Sequence, residues 1–395
     1  MLICVFYTHA LNTLSGLLFL VDAHEARFYE RLDGNKVRCN LCERRCIIPD
    51  GGRGVCLVRE NRGGTLYSLV YGHPVTVAVD PIEKKPLFHF LPGTDILSLA
   101  TVGCNFKCLH CQNWEISQAR PEDVPTPYVP PERIVSEALR LGVPSIAYTY
   151  VEPTIFYEYA RDIGILAKKH GMSNVFVTNG YFTEEVLRDM RSWLDAMNID
   201  LKGDAEFYKK VTGGTDVEVV RRNIRLAKKY GFHVEVTVLV VPDWNDMEDW
   251  FRNEVVEFIK DIDPNIPLHI SRFFPHYRMK DVPPTPVETL TRFYEIAREE
   301  LPYVYVGNLG DPRYETTYCP NCGAPVIVRH GYYTEDRTEN GRCPHCGHRI
   351  HGIWEPPGIK SLPTILSAGD TNDESDGAEE KDRGENEKTG GGGIH

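Results

Sequence analysis

The sequence has no surplus of positive charge, and this shortage makes a nucleic-acid partner the weaker expectation. Its 44 Lys and Arg residues are outnumbered by 56 Asp and Glu residues, which gives a net charge of −12. Residues 370–395 hold nine acids and three bases and so account for −6 of that total. The remaining chain is still mildly acidic, which argues against a broad phosphate-binding surface and therefore against a nucleic-acid partner.

The N-terminal end of the chain lacks Lys and Arg, and the C-terminal end is poor in apolar residues. The first 21 residues contain no Lys or Arg, whereas a signal peptide begins with basic residues. The same run is interrupted by polar residues, whereas a membrane span needs about 20 residues with few interruptions. We therefore interpret residues 1–24 as an apolar N-terminal extension and predict no membrane attachment. Residues 357–395 contain few apolar residues beyond position 367, and we predict a disordered acidic tail.

Cysteine, by contrast, is abundant and grouped. Eleven of the 12 cysteines fall into three tight groups, and Cys4 stands apart. Grouped C-x-x-C spacing in a chain of this size indicates metal chemistry rather than a disulfide framework. This implies a reducing compartment, and we predict a cytoplasmic protein.

Between residues 67 and 310, short β-rich runs alternate with helical patterns. Such alternation predicts parallel βαβ units, and six or seven units are fewer than the eight of a closed barrel. We therefore predict an α/β fold, a partial (β/α)6 TIM-like barrel. The predicted strands are 96–101, 145–150, 174–178, 196–202, 232–241, 267–271 and 303–306, and the predicted helices are 130–142, 154–170, 182–194, 216–230, 246–260 and 286–300.

The stretch TVGCNFKCLHCQNW, residues 101–114, is the three-cysteine loop. It holds Cys104, Cys108 and Cys111 directly after the first predicted barrel strand, at the end of the barrel where such folds carry their chemistry. A structural zinc site has four ligands, and no fourth cysteine follows nearby. One alternative is a zinc knuckle that takes His110 as its fourth ligand. The other, favoured by the position after a strand, is a cubane cluster with one iron lacking a protein ligand.

The C-x3-C-x2-C motif in this position resembles the radical S-adenosylmethionine (SAM) superfamily. The chain is most similar to its pyruvate formate-lyase-activating-enzyme branch, and within it to the AmmeMemoRadiSam system radical SAM enzymes. The similarity covers nearly all of residues 25–355. It is carried by CNLCERRCIIPDGGRGVC, CQNW, YTYVEPTIFYEY, VTNGY, NIDLKG, VVPDWND, RFFPHYRM and YVYVGN. The resemblance implies a [4Fe–4S] cluster on the three-cysteine loop that cleaves SAM reductively to a 5′-deoxyadenosyl radical, which abstracts hydrogen from a substrate.

The resemblance also implies which residues surround SAM. Glu152 matches the acid of the family's Gly-Gly-Glu strand end, although Tyr150 and Val151 replace both glycines. An Asp that helps to hold a monovalent cation in the activating enzymes is Val177 here, so no cation site is expected. No residue is assigned as catalytic. The residues expected to contact SAM are His110, Asn113, Glu152, Asn179, Asp200, Lys202 and His276.

Two further cysteine groups flank the predicted barrel. The N-terminal cysteine group, Cys39, Cys42, Cys46 and Cys56, offers four ligands within residues 25–66. An auxiliary [4Fe–4S] cluster and a zinc ion both fit this tetracysteine module, whether as electron relay, substrate anchor or structural staple. The ribbon cysteines, Cys319, Cys322, Cys343 and Cys346, form two C-x2-C knuckles separated by 20 residues. This spacing predicts a zinc ribbon over residues 311–356.

Taken together, these features predict a radical SAM oxidoreductase or transferase that acts on an unidentified substrate. One alternative is an activase for a glycyl-radical enzyme, whose substrate would be a backbone glycine of another protein. A non-catalytic scaffold stapled by metals, or an electron carrier, is the alternative from a different class. Either enzyme needs an electron donor of the ferredoxin or flavodoxin type. Other candidate partners are a protein substrate and the two accessory proteins of the AmmeMemoRadiSam system.

Overall fold

The structure of the protein, a computed structural model, describes residues 24–357. The predicted apolar extension and acidic tail therefore lie outside the described residues, apart from His24 and Pro357. Within the described range, no helix combines the length and the apolar character needed to cross a bilayer.

Two small antiparallel sheets are built from the residues around the N-terminal cysteine group. Their strands are β1 (His24–Glu25), β2 (Tyr29–Arg31), β3 (Val37–Cys39), β4 (Ile47–Ile48), β5 (Arg59–Arg62) and β6 (Thr65–Ser68). The strand orders are β1-β6-β5 and β2-β3-β4. Cys39 ends β3, Cys42 and Cys46 lie in the loop before β4, and Cys56 precedes β5. All four cysteines are thus held by strands or by the short connections between them.

The centre of the protein is an eight-stranded sheet whose strands follow one another in chain order. They are β7 (Thr76–Pro81), β8 (Asp95–Ala100), β9 (Ser145–Tyr148), β10 (Ser173–Thr178), β11 (Ala196–Asp200), β12 (His233–Val240), β13 (Leu268–Arg272) and β14 (Val304–Gly307). All neighbouring pairs from β8 to β14 are parallel, whereas β7 pairs antiparallel with β8. The predicted α/β fold is confirmed, and the parallel strands with helical crossovers are consistent with the predicted partial (β/α)6 barrel.

Helices connect the parallel strands. They are α1 (Trp114–Ser117), α2 (Pro131–Leu141), α3 (Tyr157–Lys169), α4 (Glu184–Met190), α5 (Ala205–Lys210), α6 (Val217–Lys229), α7 (Glu248–Trp250), α8 (Glu257–Ile262) and α9 (Val287–Arg298), with π geometry at Phe251–Val256 between α7 and α8. The α2 helix shows why they form. Pro131 opens it, Ile134 and Ala138 are buried one turn apart, and Gly142 ends it in the left-handed conformation at φ 68°.

A feature that the strand pattern did not predict is the inner segment, residues 82–91, between β7 and β8. The backbone N–H groups of Phe88 and His89 donate to the Glu235 carboxylate on β12, at 2.9 and 2.8 Å. Asn198 on β11 donates its side-chain amide to the carbonyl oxygen of Pro86, at 2.8 Å. The inner segment therefore runs against β11 and β12, and its residues form part of the cavity described below.

The ribbon cysteines lie around a third antiparallel sheet, formed by β15 (Thr317–Tyr318), β16 (Pro325–His330) and β17 (Tyr333–Asp336). Arg329 on β16 is fully buried, and its guanidinium donates to the carbonyl oxygen of Phe88 at 2.7 Å. Further along the chain, Ile353 forms a parallel bridge with Phe90. The ribbon thus packs on the inner segment. The predicted division of the chain at residues 66 and 310 stays a prediction.

Candidate metal and cofactor site

The three-cysteine loop leaves the carboxyl end of β8 and is anchored by its own backbone. The N–H groups of Lys107 and Leu109 donate to the carbonyl oxygens of Thr212 and Val211, at 2.9 and 3.0 Å. The N–H of Phe106 points at the Cys104 sulfur, at 3.4 Å. These bonds fix the backbone of the loop. None of the eleven cysteines among the described residues forms a disulfide.

A cavity of about 790 Å³ lies at the carboxyl ends of the parallel strands, within the size range of small-molecule sites. Glu152 follows β9, Asn179 follows β10, and Asp200 ends β11, so chain topology brings residues that are distant in sequence to one mouth. All three cysteines of the loop line this cavity. Five of the seven residues expected to contact SAM line it too, namely Asn113, Glu152, Asn179, Asp200 and Lys202.

Asp200 and Lys202 form an ion pair at the cavity wall, with 2.7 Å between Oδ2 and Nζ. Burial opposes the charge of Lys202, but Asp200 and the nearby Cys108 outweigh it and hold the pKa of Lys202 above its ordinary value. Lys202 is therefore a firmly charged ammonium group beside the three-cysteine loop. Such a group suits an anionic ligand group.

Glu152 is buried, and its carboxylate already accepts several hydrogen bonds. Its donors are the N–H of Thr154 at 3.1 Å, the hydroxyl of Thr178 at 2.8 Å and the N–H of Asn179 at 2.8 Å. Burial raises the pKa of Glu152, although these hydrogen bonds act to lower it. The carboxylate thus ties the end of β9 to the end of β10 and fixes Asn179. Tyr150, which stands in place of a family glycine, has φ 66°, a conformation that glycine adopts without strain.

The two histidines of the expected set have different surroundings. His110 is buried against Phe207, with 5.8 Å between ring centroids, and burial lowers its pKa to about 3. His276 lies half-buried in the loop after β13. Its neighbour Tyr277 stacks on Trp114, with 5.0 Å between ring centroids. Neither histidine is among the residues that line the cavity, and their contact with SAM remains a prediction.

A charged cluster in the cavity wall was not predicted from the sequence. Lys85, in the inner segment, is buried, with its Nζ 2.6 Å from a carboxylate oxygen of Asp80 and 4.5 Å from the ring centroid of Tyr150. Burial lowers the pKa of Lys85 to about 8, although Asp80 favours its charged form. The stretch DPIEKKP could have indicated this cluster, because burying an acid or a lysine without an ion-pair partner costs desolvation free energy.

The ribbon also contributes to this cavity. Glu315, Gly331 and Tyr332 line it together with the barrel residues, and burial raises the pKa of Glu315. The signal was weak, since these residues lie more than 200 positions after the three-cysteine loop and no periodic pattern links them. The ribbon is therefore part of the wall of the cavity.

The ribbon cysteines are themselves arranged as a closed metal site. Their four sulfurs all lie within 4.8 Å of one another, and Cys319 and Cys346 are 3.6 Å apart, as are Cys322 and Cys343. A tetrahedron with bonds of about 2.3 Å has edges of ~3.8 Å. The spacing therefore suits a single tetrahedral ion.

Comparison with known sequences identifies the class of protein that this barrel and loop define. Residues 98–253, which begin on β8 and include the three-cysteine loop, match the model of the Radical SAM superfamily. The chain belongs to the radical SAM superfamily, whose membership implies a [4Fe–4S] cluster, SAM and an electron donor.

Individual relatives give a more detailed comparison. An uncharacterized protein of Methanocaldococcus jannaschii is 50% identical over 331 residues, which are 82% of this chain and 98% of that protein. A probable GTP 3′,8-cyclase of Thermococcus kodakarensis is 29% identical over 42% of this chain and 53% of the cyclase. The chain thus spans only about half the length of that cyclase. A domain of pyruvate-formate lyase-activating enzyme from Bacteroides vulgatus is 18% identical and superposes with a TM-score of 0.35, over 41% of this chain and 98% of that domain.

Proposed function

We propose that the protein is an enzyme that holds a [4Fe–4S] cluster on the three-cysteine loop and cleaves SAM reductively there. The observation that carries the proposal is the convergence of three free thiols on a cavity of about 790 Å³. Within residues 24–357, no fourth cysteine lines this cavity. Three thiolates leave one iron of a cubane free for an exogenous ligand, which is the mark of a catalytic rather than a structural site.

The donor set of the loop fits a cluster better than a single ion. Thiolates are soft ligands that suit iron–sulfur clusters and zinc. Across the described chain, the ribbon is the only place where three or more candidate ligand atoms all lie within 4.8 Å of one another. At least two of the three sulfurs of the three-cysteine loop are therefore more than 4.8 Å apart, as expected when each thiolate binds a different iron.

Bound there, a reduced cluster would supply the single electron that breaks the C5′–S bond of SAM, which gives methionine and the carbon radical that takes hydrogen from the substrate. The chain's own residues bind and orient. Lys202, held by Asp200, offers a cation to the carboxylate of SAM. The Glu152 carboxylate positions Asn179 by accepting a hydrogen bond from the backbone N–H of Asn179. Asn113 is fixed by donating its side-chain amide to the carbonyl oxygen of Tyr150, at 2.8 Å.

We place the protein in the cytoplasm, with a ferredoxin or flavodoxin as its reductant. Its reaction would be that of an oxidoreductase or transferase similar to the activating enzymes. Its resemblance to the AmmeMemoRadiSam enzymes favours a substrate supplied with that system's accessory proteins over the backbone glycine of a glycyl-radical enzyme. Electron paramagnetic resonance distinguishes the two, because only the activase leaves a persistent glycyl radical on a partner protein.

The experiment that tests the proposal is an anaerobic product assay. The full chain is reconstituted with iron and sulfide, reduced with dithionite and incubated with SAM, and 5′-deoxyadenosine is quantified by chromatography. We expect 5′-deoxyadenosine and methionine in equal amounts from the wild-type protein and none from Cys108→Ala. If a reduced cluster forms but no 5′-deoxyadenosine appears, the proposal fails and the scaffold or electron-carrier alternative takes its place.

A further inference from the structure

The N-terminal cysteine group surrounds a small cavity that the proposed SAM chemistry does not use. The cavity measures about 20 Å³, more than the ~10–15 Å³ that one water occupies. Its lining is mainly sulfur and aliphatic carbon, from all four cysteines together with Leu41, Ile48 and Ile155. Arg44, Arg59 and Asn105 also line it. Four free thiols around one small void are the donor set of a metal centre.

The spacing of these sulfurs separates a cluster from a single ion. Within residues 24–357, the four ribbon sulfurs all lie within 4.8 Å of one another, whereas no three sulfurs of the N-terminal cysteine group do. One zinc ion draws four sulfurs to about 3.8 Å from one another. A cubane binds each thiolate to a different iron and so holds the sulfurs farther apart around a filled centre. Neither the N-terminal cysteine group nor the three-cysteine loop draws three sulfurs together as closely as the ribbon does.

A buried cation lies beside the sulfurs of this cavity. Arg59 lies fully buried in the cavity wall, where two of its nitrogens bind the Glu158 carboxylate, each at 3.0 Å. Its Nε has no hydrogen-bond partner in the described chain. A buried guanidinium with a spare N–H complements an anionic iron–sulfur centre.

The site lies directly behind the three-cysteine loop. A Cβ on Gly103, the residue before Cys104, would stand 2.7 Å from the carbonyl oxygen of Cys56, so the two backbones are in contact. Asn105 lines the small cavity, and its side-chain oxygen accepts a hydrogen bond from Asn179 of the large one, at 2.8 Å. None of the four cysteines of the N-terminal group lines the large cavity.

We propose that the N-terminal cysteine group holds a second [4Fe–4S] cluster, closed by four thiolates and separated from the SAM-binding cavity by the three-cysteine loop. Four thiolates leave no iron open to an exogenous ligand. Together with its position outside the large cavity, this excludes the second cluster as a substrate anchor. The inference does not depend on SAM cleavage, because it concerns only what the four cysteines bind.

The test is a metal and sulfide count on the full chain with the three-cysteine loop disabled. The variant Cys104→Ala/Cys108→Ala/Cys111→Ala is reconstituted anaerobically with iron and sulfide in the presence of equimolar zinc. We expect about four irons and four sulfides per chain, with one zinc in the ribbon. Adding Cys42→Ala should remove the iron and leave the zinc, whereas adding Cys322→Ala should remove the zinc and leave the iron. Two zincs without iron in the triple variant would overturn the proposal.

A second measurement covers the case in which the triple variant does not fold. The reconstituted wild-type protein is examined by Mössbauer spectroscopy together with total iron. A second cluster predicts about eight irons per chain, all in cubane clusters. About four irons together with two zincs would show that the N-terminal cysteine group holds zinc.

Discussion

The ribbon and the three-cysteine loop both present C-x2-C pairs, but the structure prepares them for different tasks. The ribbon closes four sulfurs into a tetrahedron, with Cys322 and Cys346 exposed on the surface. The loop spreads three sulfurs along the wall of a large cavity and keeps its own backbone bonded to neighbouring loops. The number of thiols, their spacing and the space in front of them therefore indicate the chemistry of a cysteine group better than its local motif.

The largest effect is expected from a substitution that disables cluster binding by the three-cysteine loop and leaves the ribbon intact. Cys108→Ala removes one of three cluster ligands, so we expect 5′-deoxyadenosine formation to fall to background while one zinc per chain is retained. Iron content and product formation are measured on the same preparation. Loss of zinc together with the loop's iron would contradict the idea that the two groups bind their metals independently.

The reciprocal substitution removes one ligand from the metal site of the ribbon. Cys322→Ala opens the closed site, where structural zinc supplies an apparent ~10–16 kcal/mol at neutral pH. We expect zinc to be lost and residues 317–350 to lose their protection against hydrogen exchange, while the loop keeps its iron. The exposed His345 in the same knuckle gives a matched control, because His345→Ala leaves all four sulfurs in place. Unchanged zinc in Cys322→Ala would refute the assignment of these ligands.

A smaller effect is expected from the charge beside the loop. Lys202→Ala removes a half-buried cation and leaves Asp200 without its partner, and truncation of one member of a charge pair at a binding site costs roughly 2 kcal/mol in binding. We expect SAM affinity to fall by a corresponding factor of about 30, with the iron content unchanged. Lys210→Ala, which breaks an exposed pair with Glu206, should leave affinity as in the wild type. Equal affinities in the two variants would remove Lys202 from the SAM site.

The smallest effect concerns the contact between ribbon and barrel. His89 is fully buried between the carbonyl oxygen of His351 and the hydroxyl of Tyr305, and burial lowers its pKa to about 3. An unfolded chain protonates this group near pH 6.5. The unfolded state therefore binds more protons between these values, so the free energy of unfolding falls as the pH drops from about 6.5, by at most ~1.4 kcal/mol per pH unit.

Denaturant titrations at pH 7.5, 6.5 and 5.5 measure this dependence. His89→Asn should be less stable at pH 7.5 and should show a shallower loss of stability on acidification. The exposed His345→Gln is the matched control and should retain the wild-type slope. An unchanged slope in His89→Asn would mean that His89 is not held neutral by the fold.

The barrel and the loop could be predicted from the sequence because their signals are local. The apolar runs that became β8 to β14 are bounded by turn residues and separated by helical patterns, and the three cysteines lie within eight residues. Parallel topology then brings Glu152, Asn179 and Asp200 to one mouth without any knowledge of side-chain contacts.

The inner segment and the ribbon's place in the cavity could not be predicted in this way. Arg329 binds the carbonyl oxygen of Phe88 across 241 positions, and Glu235 receives the N–H of Phe88 across 147. Such contacts depend on where the chain returns in space, and no periodicity records them. Similarly, the sequence left zinc and a cluster both open at the N-terminal cysteine group, since spacing along the chain does not give the distances between sulfurs.

The most direct test of the account is the electron paramagnetic resonance spectrum of the reduced, reconstituted protein with and without SAM. An open iron on the three-cysteine loop predicts that SAM shifts the signal of one cluster, and that Cys108→Ala abolishes the shifting component. A reduced cluster whose spectrum is the same with and without SAM would show that the three-cysteine loop does not bind SAM through its iron, and would contradict the central claim.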